Sequence, residues 1–131
     1  RPAYDCLKRN EVLGLAFDGG GGSHWLQTTL GRRTIHVAQQ PWQLARSTGA
    51  MVVPTVVVRH PSQALHRVIM HQPFVVGKTA DKQADLQAGL DRFAHWFDLR
   101  VKQRPDHYLP FMLLRWKVRG SDARPFFGDW G

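Results

Sequence analysis

Leu44-Ala45-Arg46-Ser47-Thr48-Gly49-Ala50-Met51-Val52-Val53-Pro54 carries the decisive reading of this chain: a helix that stops at a glycine and hands over to a valine-rich strand. The helix is expected over 41–48. Pro41 suits a first turn, where its missing N–H is no loss, and Gly49 suits the left-handed residue that closes a helix. Trp42, Leu44 and Ala45 would form the buried side. The strand is expected over 50–59, with Pro54 at an edge, a bulge or a bend because proline cannot donate to a ladder. Upstream, Leu7-Lys8-Arg9-Asn10-Glu11-Val12 leads into an apolar run over 12–17 that contains Gly14 and ends at Asp18 and four glycines, Gly19 to Gly22. That run reads as a buried strand. It would deliver one carboxylate to an edge whose glycines allow a sharp turn or a close approach to a ligand.

Working outward, His66-Arg67-Val68-Ile69-Met70 reads as another strand after the Pro61-Ser62 turn, and Arg33-Thr34-Ile35-His36-Val37 is β-favourable but short. From Asp81 the period becomes helical. Leu86, Leu90, Phe93, Ala94, Phe97 and Val101 step by three and four along one stripe. Asp81 is the expected N-cap, and Arg104-Pro105 the expected end, because a residue before proline avoids the helical region. Asp106 would cap a second, shorter helix through 109–116. The tail over 120–131 is turn-rich and expected to be irregular, with Phe126, Phe127 and Trp130 folding back or packing on a partner. Strands alternating with helical segments predict an α/β fold, with a small mixed or mostly parallel sheet flanked by helices.

The 131 residues suffice for one domain with a modest core, and we read 1–131 as a single unit. Hydrophobic residues at 43% and charged residues at 21% exclude a disordered chain. No apolar run approaches the roughly 18 residues of a membrane-spanning helix. The single cysteine, Cys6, excludes an internal disulfide, and no CxxC spacing exists. The opening residues show no signal-peptide pattern, and a start at Arg1 fits a fragment or a processed chain. A net charge of +8 favours an anionic partner. Nucleic acid, anionic lipid headgroups and an acidic carrier protein all satisfy that.

Seven histidines invite a catalytic or metal reading, but none is followed at five residues by an acid, and no HExxH or His-x3-His occurs. No metal and no cofactor is expected. Asp18 with Gly19 is the best local site candidate, a carboxylate with backbone N–H groups at a strand's C-terminal end. The cations fall at Lys8-Arg9, Arg32-Arg33, Arg46, Arg59, Arg100-Lys102-Arg104 and Arg115-Lys117-Arg119. Either they form an anion-binding face or they are a solvated surface. Phe111 and Trp116 among them could stack bases, but no RNA- or DNA-binding signature accompanies them.

In order and spacing these motifs resemble the second half of the bacterial lipid A biosynthesis acyltransferases, the lauroyl and myristoyl transferases of the lysophospholipid acyltransferase superfamily. Asp18 matches the aspartate that closes a strand in a Pro-Asp-x-x-x-Gly block. The stretch from Leu44 to Pro54 is the closest match, and Arg59 sits where that family tends to carry basic residues. Arg104-Pro105-Asp106-His107-Tyr108 through Arg115-Trp116 is similar to its closing block. There are departures: Gly20 and Gly21 replace polar side chains, Pro110-Phe111-Met112 stands at the closing tryptophan-histidine position, and the His-x4-Asp/Glu pair of the family's first half is missing. The resemblance implies the C-terminal half of a lysophospholipid acyltransferase domain. Its parent activity moves a fatty acyl chain from acyl carrier protein or coenzyme A to a glycolipid or lysophospholipid hydroxyl, in the cytoplasm at the inner membrane.

The histidine that would take the acceptor's proton is absent, so the chain alone is expected to be inactive and no catalytic residue is assigned within it. Asp18, Gly19 and Arg59 are the expected ligand contacts, followed by Arg46 and Arg115. The expected partners are the acyl carrier or acyl-coenzyme A, an anionic lipid or membrane surface, and a second copy of the chain. Two other readings stand beside this one: a non-catalytic partner-binding or oligomerisation module, and a small basic nucleic-acid binder, the least favoured.

Overall fold

The computed structural model describes residues 2–17 and 23–108. Helix α1 (Pro2–Lys8) is followed by strands β1 (Trp25–Leu30) and β2 (Arg33–Ala38), helix α2 (Gln40–Thr48), strands β3 (Met51–Val52), β4 (Thr55–Arg59), β5 (His66–Met70) and β6 (Phe74–Val75), and the long helix α3 (Lys82–Gln103). A further helical turn covers 105–108.

The apolar stripe of α3 organises the core. Asp81 caps the helix, its side chain accepting from the Ala84 N–H at 3.0 Å. Leu86, Leu90, Phe93, Ala94, Phe97 and Val101 are all buried, as the spacing predicts. Against them lie Leu26 and Leu30 of β1 and Ile35 and Val37 of β2, the inner face of an antiparallel hairpin in which Leu26 pairs with Val37 and Leu30 with Arg33. Gly31 opens the hairpin's two-residue turn at φ 61°, where a β-carbon would be strained. Gly89 lets α3 and α2 approach, since a methyl there would stand 3.1 Å from Val76 Cγ2 and 3.4 Å from Trp42 Cε3. As expected, α2 ends on Gly49 in the left-handed conformation, its N–H donating to the Ala45 carbonyl.

Residues 51–75 form one long ribbon with a kink. Thr55 pairs with Met70 and Arg59 with His66, while Val52 pairs with Phe74 and Met51 with Val75. Between Thr55 and Val52 lie two residues, but between Met70 and Phe74 lie three, so the second strand carries a bulge at 71–73. The His71 N–H donates to the Pro54 carbonyl at 2.8 Å, and the strand expected over 50–59 is interrupted at that proline. The extra residue switches side-chain parity on the second strand. His66, Val68 and Met70 point outward, whereas Phe74 turns inward to join the core and Val75 takes the outward position.

Two sequence expectations are corrected here. The mostly parallel or mixed sheet does not form: all three described strand pairs are antiparallel. Parallel pairing needs a crossover that returns a strand beside its predecessor, and the crossover helix α2 instead leads from β2 to β3, which pairs with β6. The fold is a small mixed α/β arrangement of short antiparallel pairs and helices. The run over 12–17 is not a buried strand either. Val12 is 96% exposed and Leu15 58%, and only Phe17 packs inward, its ring 4.4 Å from that of Phe93. Among the described residues no neighbouring strand lies there to reward extension. The second helix expected over 109–116 and the tail over 120–131 lie outside the described residues. No helix among those described is long and apolar enough to cross a membrane.

Candidate functional site

A hollow of about 620 Å³ lies where α1 crosses α2. Asn10 at φ 61° turns the chain out of α1, and the segment 11–16 returns along the hollow, contributing Leu15. Tyr4, Pro41 and Leu44 complete an apolar wall, and Arg46, Ser47 and Lys82 stand among its polar groups. An apolar trough with cationic and hydroxyl groups is chemically suited to an amphiphile with an anionic end.

Arg46 is less available than its charge suggests. Its Nε donates to Asp85 Oδ2 at 2.8 Å and its Nη2 to the Thr79 carbonyl at 2.7 Å. Asp85 also accepts from the Thr79 N–H at 2.9 Å and the Thr79 hydroxyl at 2.8 Å. Gly77 leaves room for this carboxylate, since a β-carbon there would lie 3.0 Å from Oδ1. Burial pushes the Asp85 pKa up, but Arg46 and the two Thr79 donors together outweigh it and hold the carboxyl below the ordinary aspartate value. The network ties α2 to α3 through the 77–79 segment. Arg46 therefore brings a neutralised charge to the hollow, whereas Lys82 has no ion pair among the described residues.

Arg59 lies elsewhere, exposed at the last position of β4 opposite His66. Arg46 and Arg59 share no hollow, hydrogen bond or ion pair. Asp18, Gly19 and Arg115 lie outside the described residues. The sequence reading missed Leu15 and Lys82 as hollow residues. The apolar run over 12–17 was the signal for Leu15, had its exposure been foreseeable, whereas Lys82 follows a helix cap and carries no distinguishing pattern.

A second hollow of about 280 Å³ gathers two of the seven histidines, His24 and His36, with Ser23, Trp25, Gln27 and Gln39. The Ser23 hydroxyl is 2.9 Å from His24 Nδ1, and the Gln27 amide is 2.9 Å from His36 Nε2. His36 Nδ1 is buried without a partner among the described residues. No carboxylate among the described residues lines this hollow, so none of them offers either ring the orienting acid that a histidine base uses. Among the described residues no three potential metal ligands cluster. His107 approaches Asp106 at 3.4 Å, but Arg104 already engages that exposed carboxylate at 3.1 Å. No family model, curated protein or solved structure matches this chain.

Proposed function

We propose that the chain is the binding half of an acyltransferase-like domain. It would hold a fatty acyl thioester of a carrier protein or coenzyme A for transfer to a glycolipid or lysophospholipid hydroxyl. The base would come from polypeptide outside this sequence. The observation that carries the reading is the hollow at α1 and α2, which sets Leu15, Tyr4, Pro41 and Leu44 beside Lys82 and Ser47. Acyl chain against the apolar wall and anionic headgroup toward Lys82 is the arrangement that this lining accommodates. The motif order from Leu44 to Pro54 supplies the second support. The location that goes with the reading is the cytoplasmic side of a bacterial inner membrane.

An acyl-transfer assay with carrier-protein and coenzyme A thioesters tests it, run on this chain and on a version extended upstream to include a His-x4-Asp motif. Turnover is expected only in the extended version, with Leu15→Trp raising KM for long acyl donors several-fold by narrowing the hollow. Turnover by the chain alone would overturn the account of the missing base, and silence from both would remove the reading.

A second reading, a non-catalytic partner-binding module, is favoured by a separate observation. Each described strand has a single neighbour, so every strand pair keeps open edges on which another chain could add a strand.

A further inference from the structure

The outward face of the 51–75 ribbon is largely apolar, interrupted at its middle by Thr55. Met51 is 66% exposed, Val57 55%, Val68 56%, Met70 69% and Val75 56%, and Val53 is exposed in the same row. The pairing sets Val57 beside Val68 and Met51 beside Val75, so these side chains form one surface rather than scattered points. At the turn end of the same face stand Arg59 and His66, paired across the strands. Lys78 follows β6. Not one aspartate or glutamate occurs from residue 19 through residue 80, whereas Arg32, Arg33, Arg46, Arg59, Arg67 and Lys78 all fall within that span. The acids of α3 are engaged on other sides: Asp85 with Arg46, Asp91 with the Thr28 hydroxyl, and Asp98 with the Gly31 N–H and Lys102.

From these observations we infer that the outward face of the ribbon docks on an anionic lipid bilayer. A contiguous apolar patch on a water-facing surface marks an interaction site. The segment that carries it, residues 19–80, has no aspartate or glutamate, so the complementary surface is negative. Two copies stacked through this face would set ribbon against ribbon, with no ribbon carboxylate to answer Arg59 on either side. Nucleic acid offers little to valine and methionine side chains, and among the described residues no tryptophan, tyrosine or phenylalanine stands on this face to stack a base. A bilayer satisfies both halves of the pattern. Its phosphates meet Arg59 and Lys78 while Met51, Val57, Val68 and Met70 enter the boundary between headgroups and acyl chains. The ribbon lies along the surface and does not penetrate, because two strands with open edges would strand backbone N–H and C=O groups in hydrocarbon.

The inference does not depend on acyl transfer, and the two fail separately. The test is sedimentation of the whole chain with vesicles of equal parts phosphatidylglycerol and phosphatidylcholine, beside pure phosphatidylcholine vesicles. The chain is expected to bind the anionic vesicles, more weakly as salt is raised. The double variant Val57→Asp/Met70→Asp should lose at least tenfold in partitioning with its far-UV circular dichroism and melting temperature unchanged, since both positions are exposed. Leu99→Asp, at an exposed apolar position of α3 outside the ribbon, should bind as the parent does. Equal binding by parent and double variant overturns the inference, as does failure to bind anionic vesicles. So does a concentration-dependent dimer that the double variant dissolves while vesicle binding is absent, which would assign the face to a second copy.

Discussion

The β1–β2 hairpin and the 51–75 ribbon share an antiparallel topology but are finished differently. The hairpin alternates: Leu26, Leu30, Ile35 and Val37 face the core, whereas Gln27 and His36 bond each other on the far side. Its ends are tied to α3 by the Thr28–Asp91 and Gly31–Asp98 hydrogen bonds and by the Gln87 amide donating to the Gln27 carbonyl. The ribbon buries Val56 and Phe74 on one face and leaves valine and methionine on the other. A strand pair apolar on both faces has the composition of one covered on both faces. The difference teaches that the hairpin is complete within the described fold, while the ribbon is built for something more.

The largest effect should come from the finished side. Leu90 is fully buried in the core, and Leu90→Ala should destabilise by about 2–5 kcal/mol in urea unfolding. Val57→Ala on the ribbon's outer face should stay within about 0.5 kcal/mol in the same measurement. Comparable losses would mean that the outer face is covered in solution.

Next comes the network that joins the two helices. Asp85→Asn leaves the half-buried Arg46 without its counter-charge, so at neutral pH it should lower the melting temperature more than any surface change. The sign in acid follows from the depressed pKa of Asp85. A carboxyl held below its unfolded value stabilises fully above that value, and the contribution is lost as pH falls through the depressed one. The gap between parent and Asp85→Asn should therefore close as pH falls below the ordinary aspartate value of 3.8. A gap that widens in acid would contradict the geometry. The smallest effect is expected at Lys102, whose pair with Asp98 leaves the lysine side chain 63% exposed. Lys102→Ala should cost about 0.5 kcal/mol or less, and less still at high salt.

These contrasts also mark how much was legible in the sequence. The long helix was readable to the residue because six apolar positions repeat with helical period, and both Asp81 and Arg104-Pro105 punctuate it. The cap at Gly49 and the strand from His66 to Met70 were readable for similarly local reasons. The run over 12–17 misled because an apolar segment records side-chain preference and not whether a neighbouring strand exists. Strand β1 escaped notice because Gln27, Thr28 and Thr29 interrupt its apolar pattern, although Gly31 between two threonine-bearing arms was a turn signal. Of the proposed contacts, Arg46 shows the limit most clearly. Its engagement with Asp85 spans 39 positions of sequence, and nothing local distinguishes a free arginine from one already neutralised.

Pro54 has a consequence for solubility. It lies fully buried opposite His71, and it divides Met51-Val52-Val53 from Thr55-Val56-Val57-Val58. Without it the chain would hold an uncharged, β-branched run of the length and composition that nucleates amyloid, displayed on strands whose edges are open. The proline interrupts the strand, and the bulge across from it throws the two halves of the ribbon out of register. A second molecule can match one half of the ribbon or the other, but not both in a single continuous strand. The kink that turns Phe74 into the core thus also shortens every template the ribbon offers for self-assembly.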